Sequence, residues 1–589
     1  MTVSPPASLR GSTVGPLKSR RGCKTCKIRK VKCGEEKPHC IRCTSTGRKC
    51  EYQGQVAGTF SSASSTVSIL DTILSSLPNA VWRERRAFAY YFQHAAPFVG
   101  GELDIDFWRN IVPQICRVEP AVWDAIISIS ALFESPEPCP DLVFLRQKDF
   151  HVLNQNHRDA LGWYSRSVSA VSRRIERGDV DMFVGLISCV LFICIEGLQG
   201  GVEEAFRLYG QGVYLIRALR AQITCGALSA TKASLLEDVI VPVFVRLGEI
   251  AIALSSDLMH LLTESTSNAM TQGFINLRSA REAIVLLIAE AQVLERSFEA
   301  HQLESGTSEL PVELTNKQAA LSVRLSSWKT AFGNLVNLLR NRDIISPQEM
   351  SMIALLFAHY DTLFVTIGIC LSTMQSLTDS YLPNFQRIVE QCRIALEASA
   401  RSDGSQPPFT FDISVGLPLW FTSLRCREPR IRRAALTLLR QAPHVQGFYR
   451  CVSGAAFGEK VMMVEERYAM AMHAAEGRSN FMIPESAKEF ISRGILSNVS
   501  GFDLDHPTFT EVKSGMPLSV LIPEEARVGP VSMFRGRDGF PPGTPDDDIV
   551  KGNQSPDQTF LSFSRNKFDK ASNSWKRVHG SIPIEVITT

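Results

Sequence analysis

Six of the chain's 15 cysteines fall within 28 residues near its start. Cys23, Cys26, Cys33, Cys40, Cys43 and Cys50 follow the spacing C-x2-C-x6-C-x6-C-x2-C-x6-C, one C-x2-C-x6-C unit written twice. So short a stretch has too little apolar surface to fold unaided, and the thiolates decide what it becomes. Soft sulfur ligands in close pairs select zinc, and a structural zinc takes four of them in a tetrahedron at about 2.3 Å. Six ligands cannot serve two ions separately. Two tetrahedra need eight metal–sulfur bonds, so two sulfurs must bridge, and the repeat makes Cys23 and Cys40, the first of each unit, the equivalent candidates. A single four-cysteine site with two spare thiols and a small disulfide knot are the competing readings, and the regular spacing disfavours both. With every coordination position filled by sulfur no open site remains to activate water, so the metals are structural. Their binding supplies folding free energy on the order of 10 kcal/mol.

The charge is as local as the cysteines. Over 589 residues, Lys and Arg number 63 and Asp and Glu 60, a net +3 that excludes a polycation. Yet from Lys18 to Tyr52 twelve basic residues face three acidic ones, a net +9, and Lys24, Lys27, Arg29, Lys30 and Lys32 crowd the first unit before Cys33. The rest of the chain sums to −6. Nucleic-acid affinity, if the chain has it, resides in this segment, and the same basic run also reads as a nuclear-import signal.

These residues, CKTCKIRKVKCGEEKPHCIRCTSTGRKC, resemble the DNA-binding domain of fungal binuclear zinc-cluster transcription factors. The resemblance implies two zinc ions held by Cys23, Cys26, Cys33, Cys40, Cys43 and Cys50, and a short helix started at each C-x2-C turn. It implies double-stranded DNA with CGG-type half-sites as partner, the first helix entering the major groove. On this pattern Lys30 stands where a base-reading lysine is expected, with Arg29 beside it, while Lys24, Lys27, Lys32 and Arg42 stand where phosphates are contacted; base edges specify and phosphates position. Gly34 departs from the family, which more often has a polar residue there, and is expected to loosen that turn. The implied protein is a nuclear regulator of RNA polymerase II transcription, working with the transcription machinery on a metabolic or secondary-metabolite gene set. A helical scaffold or enzyme with a vestigial or metal-buffering cluster is the alternative.

Around the cluster the sequence predicts a disordered tail over 1–20, the zinc-cluster domain over 21–52 and a flexible Ser-rich linker over 53–81. No secretory signal is expected, because the first twenty residues hold no apolar core. Ile69, Leu70, Ile73, Leu74 and Leu77 make an apolar stripe that Pro78 ends, too short for a coiled coil; a monomer and a homodimer both stay open. Over 82–480 helical periodicity dominates and strand alternation is scarce, so a large all-α regulatory domain is expected, with breaks near Pro136–Pro140, Thr224–Ala230, Gly306–Pro311 and Ser402–Pro408. Parts resemble the fungal-specific regulatory domain that often accompanies this cluster, including the late arginine-rich segment CREPRIRRAALTLLRQAPHVQGFY; the effector is unknown.

The greasiest run, Met182–Ile195, is 14 residues, short of the roughly 20 that cross a bilayer, and reads as a buried helix; Asp361 interrupts another apolar stretch. No membrane partner is expected. Trp108, Trp123 and Trp163 read as core. The nine other cysteines read as packing thiols, Cys139 being the most exposed candidate for a redox role. His151 and His157, six apart, do not share a helix face. No HExxH, Walker A, GxSxG or dinucleotide fingerprint occurs, so no catalytic residues are named. From Ser500 onward, 9 Pro and 8 Gly in 90 residues predict poor order, and 481–589 is expected to be a solvated tail, with an acidic-aromatic activation region as the minority reading.

Overall fold

The structure, a computed structural model, describes residues 23–36, 39–46, 50, 82–135, 154–179, 181–250, 273–305, 310–342, 345–401, 403–475, 521–540, 544, 549–550 and 558–584. The chain divides into two compact units, Met1–Val67 and Ser68–Thr589. The first holds two short helices, α1 (Lys24–Ile28) and α2 (Ile41–Thr44). The predicted tail over 1–20, the linker with its apolar stripe, Cys139 and His151 lie outside the described residues.

The second unit is built from α3 (Trp82–Tyr90), α4 (Pro120–Glu134), α5 (Gln155–Arg177), α6 (Met182–Gln199), α7 (Val202–Thr224), α8 (Val241–Ile250), α9 (Leu277–Ser305), α10 (Val312–Arg340), α11 (Pro347–Ile369), α12 (Leu382–Ser399), α13 (Gly416–Arg425), α14 (Pro429–Gln441) and α15 (Cys451–Ala475). Their ends follow side-chain chemistry. Asp181 opens α6 by accepting the Phe183 N–H, and Gly200, at φ 81°, closes it in the left-handed conformation that glycine adopts without cost. Ser346 and Glu349 form a reciprocal capping box at the start of α11, with Pro347 in its first turn. Three of the four expected breaks fall between described helices, and α4 ends at Glu134, just before the fourth.

One large core gathers α3 to α11, with Trp108, Trp123 and Trp163 inside it as expected. A second runs through α11 to α15. Helices α6 and α11 are long and apolar enough to span a bilayer, yet 72% and 78% of their most apolar windows are buried against other parts of the protein. Asp361, mid-way along α11, is 4% exposed and satisfied by Asn384 at 2.7 Å and Arg387 at 2.6 Å, both on α12. The greasy helices are thus the centre of a helical stack, and the charge that interrupts one of them ties it to its neighbour.

The body is largely helical, as expected, and two small three-stranded sheets accompany the helices. β1 (Phe409–Thr410) pairs parallel with β2 (Val445–Gln446), which pairs antiparallel with β3 (Tyr449–Arg450). Of the predicted tail over 481–589, residues 481–520 lie outside the described residues, but the described residues 521–540 and 558–584 carry the larger sheet, contrary to the expectation of poor order there. There β4 (Val528–Arg535), β5 (Thr559–Asp569) and β6 (Ser574–Ile584) form an antiparallel meander, its last turn carrying Asn573 at φ 48°. Phe563, Leu561 and Ile582 pack against Val461 and Val464 of α15. Buried charges fasten the approach to the sheet. Glu524 accepts the N–H groups of Gln375 and Ser376, and Arg527 pairs with Asp379 at 2.7 Å. A tail rich in Pro and Gly is therefore ordered where it carries two 11-residue strands.

Candidate metal centre and nucleic-acid interface

The sequence repeat becomes a repeat of geometry. Cys23 and Cys40 precede α1 and α2 with the same extended backbone, φ −62°, ψ 154° and φ −73°, ψ 142°. The Cys23 N–H donates to the Cys33 sulfur at 3.3 Å, and the Cys40 N–H donates to the Cys50 sulfur at the same distance. In α1 the Cys23 sulfur is itself the N-cap, accepting the Cys26 N–H at 3.3 Å. Each unit therefore folds its third cysteine back onto its first.

The Sγ atoms of Cys23, Cys26, Cys40 and Cys43 all lie within 4.8 Å of one another. Four of the separations are 3.7–3.8 Å: Cys23 to Cys40, Cys23 to Cys43, Cys26 to Cys40 and Cys26 to Cys43. The edge of a ZnS4 tetrahedron with bonds of about 2.3 Å is about 3.8 Å, so the Cys23–Cys40, Cys23–Cys43 and Cys26–Cys40 separations match the spacing of sulfurs that share a zinc. Cys50 is buried with these four, and Cys33 packs against the group half-buried. All six predicted ligands converge.

Their ionisation preferences differ between the first cysteine of each unit and the second. Burial opposes the charge on Cys23 and Cys40, but N–H donors at the start of each helix and neighbouring thiols outweigh it, drawing both below the ordinary thiol range, Cys40 to about 6. Burial and the neighbouring thiolates push Cys26 and Cys43 up. Cys50 rises to about 12 despite the Cys40 N–H it accepts. Crowded thiols cannot all ionise without a cation among them, and the two that ionise first are the leading residues of the two repeats.

The basic residues surround this core. Lys24, Lys27, Lys30, Lys32 and Arg42 are exposed. Arg29 is half-buried and its guanidinium donates to Thr46 Oγ1 at 3.4 Å, linking the two halves. Lys30 has an unusual backbone, φ 54°. It terminates α1 in a Schellman arrangement: the Lys30 N–H bonds to Lys27 O and the Val31 N–H to Cys26 O, each at 3.1 Å. Glycine normally occupies that position, and a lysine there starts its side chain from the end of the helix at an energetic cost to the backbone.

Two features escaped the spacing argument. Glu36 accepts the Ile41 N–H at 3.2 Å and so caps α2 from the linking loop. A Cβ on Gly34 would lie 2.3 Å from that same carboxylate, so Gly34 makes room for the cap. The arginine-rich α14 also proves to be a packing element. Arg432, Arg433 and Arg440 pair with Glu465, Glu466 and Glu459 of α15 at 2.6, 3.0 and 2.9 Å.

The family described as the fungal Zn(2)-Cys(6) binuclear cluster domain matches residues 21–57. The chain thus carries a zinc-cluster domain, and the donor set and its spacing fit zinc. Among similar proteins, the aspercryptin biosynthesis cluster-specific transcription regulator of Emericella nidulans is 28% identical over 255 residues, 38% of each chain. An uncharacterized transcriptional regulatory protein of Schizosaccharomyces pombe is 32% identical over 132 residues, 19% of this chain and 24% of the relative. The ergochrome gene cluster transcriptional regulator of Claviceps purpurea is 47% identical over 51 residues, 9% of this chain and 10% of the relative. The chain covers well under two thirds of the length of each. No solved structure matches it.

Proposed function

We propose that this protein is a nuclear, sequence-specific DNA-binding transcription factor that recognises CGG-type half-sites and controls RNA polymerase II transcription of a secondary-metabolite gene set. The observation that carries this is the juxtaposition, in one small unit, of five buried cysteines and a half-buried sixth with exposed Lys24, Lys27, Lys30, Lys32 and Arg42. The names of two relatives, regulators of the aspercryptin and ergochrome gene clusters, support the class of target genes.

Two zinc ions, when bound, supply the folding free energy of the unit and carry no reaction. Cys23, Cys26, Cys33, Cys40, Cys43 and Cys50 would hold the two ions, with Cys23 and Cys40, the first of each repeat, as the sulfurs that would be shared. Lys30, fixed at the end of α1, reads the edges of the guanines, with Arg29 beside it. Lys24, Lys27, Lys32 and Arg42 hold phosphates and set the register of the unit on the duplex. Lys27→Ala weakens binding to all sequences evenly and flattens the salt dependence, whereas Lys30→Ala removes preference for the CGG duplex.

The test is binding of the full chain to CGG-containing and scrambled duplexes across a salt series, with and without a strong chelator. A salt-sensitive CGG preference abolished by the chelator supports the proposal. Equal affinity for both duplexes, or binding that survives zinc removal, overturns it.

A further inference from the structure

The outward face of α1 carries a residue that recognition by cations leaves unexplained. Cys26 is buried among the sulfurs, and Ile28, two residues on in the same helix, lies roughly 200° round the helix axis from it. Ile28 is accordingly 71% exposed. Lys24 stands one turn before it, Lys27 immediately before and Lys30 two residues after, all three exposed. An aliphatic side chain thus sits among the cations proposed to meet the duplex. Packing of the unit does not call for it, since the described non-cysteine residue that packs against the sulfurs is Val31.

A single exposed apolar side chain is ordinary on a protein surface, and it is the setting that selects a partner. An apolar protein surface laid over Ile28 would also strip water from the neighbouring lysines without pairing them, whereas a duplex offers those lysines phosphates. Isoleucine has no donor or acceptor on its side chain for a base edge, but the major groove displays one apolar group, the C5 methyl of thymine. We infer that Ile28 contacts a thymine methyl beside the CGG triplet and adds a preference for thymine at that position. This rests on the DNA recognition proposed above and extends it: Lys30 reads base edges by hydrogen bonds, while Ile28 reads by apolar burial. A contact of that kind neutralises no phosphate, so it adds specificity without adding salt dependence.

The test is fluorescence anisotropy of the zinc-loaded full chain on duplexes with one CGG triplet. Thymine is placed at each of the two positions on either side, on either strand, and each duplex is compared with the same duplex carrying deoxyuridine there. Uracil removes the methyl and keeps every hydrogen-bonding group. At one of these positions uracil is expected to weaken wild-type binding about fourfold, the worth of one buried methyl group, and equally so at low and high salt. Ile28→Ser abolishes that difference while keeping the preference for CGG over a scrambled duplex. Ile41→Ser, at the 64% exposed first residue of α2, retains it. Wild-type binding indifferent to uracil at every position, or an Ile28→Ser chain as sensitive as wild type, overturns the inference and leaves CGG recognition standing. Equal binding to CGG and scrambled duplexes overturns the function on which the inference rests.

Discussion

Replacing Lys30 by glycine and, separately, by alanine divides the work of its side chain from the strain of its backbone. Lys30 sits at φ 54°, a conformation that costs an L-residue roughly 1–2 kcal/mol and costs glycine almost nothing. Glycine gives back part of that gain through its greater freedom when unfolded, leaving a net stabilisation of about 1 kcal/mol. Folding of the cluster is coupled to metal uptake, so the gain appears as zinc affinity, roughly fivefold tighter in competition with a graded chelator. Alanine pays the same left-handed cost as lysine and should leave zinc affinity near wild type. On a CGG duplex both variants lose the side chain, and each should lose about 1–3 kcal/mol of specific binding with little change on scrambled DNA. Fluorescence anisotropy and chelator competition on the same full-length proteins supply both readouts. If Lys30→Gly held zinc no more tightly than Lys30→Ala, the backbone would carry no strain; if Lys30→Gly bound CGG like wild type, the side chain would not read bases.

Other perturbations address the helical body. Glu465 is buried between Arg427 and Arg432, at 2.7 and 2.6 Å, so Glu465→Gln strands two guanidiniums and should cost about 3–5 kcal/mol in denaturant unfolding. Burial alone would raise the pKa of Glu465, but the two arginines outweigh it and hold the carboxyl at about 2, below the ordinary 4.5. Its contribution is then fully present above about pH 4.5 and lost as the pH falls towards 2, an acid sensitivity that Glu465→Gln should blunt. Gly101→Ala should lower stability by more than the roughly 1–2 kcal/mol of its left-handed backbone, because the new Cβ also displaces Asp412; a thermal midpoint equal to wild type would contradict that packing.

What could be read from the sequence divides along range. The cysteine repeat and the basic residues between its members are local patterns, and the structure brings all six sulfurs together while leaving five of the six predicted contact residues exposed. Helix breaks at Thr224, Ser305 and Ser399 were legible for the same reason, since glycine, proline and caps act on their neighbours. The carboxyl-terminal sheet was not, because averaging Pro and Gly over 90 residues diluted two strands of 11. Nor were the buried ion clusters: Asp104 and Arg281 are 177 positions apart, and Arg427 and Glu465 are 38 apart, so no spacing rule joins them. The arginines of α14 likewise gave no local sign of their partners, and three of them pair with the glutamates of α15.

Two zinc ions sharing six sulfurs are what fold the DNA-binding unit in this proposal. Native mass spectrometry of the full chain measures this directly. It should find two zinc ions per chain, with Cys23→Ser or Cys40→Ser losing both and Cys33→Ser or Cys50→Ser chiefly the one that residue serves. One ion per wild-type chain, or none, would contradict the account.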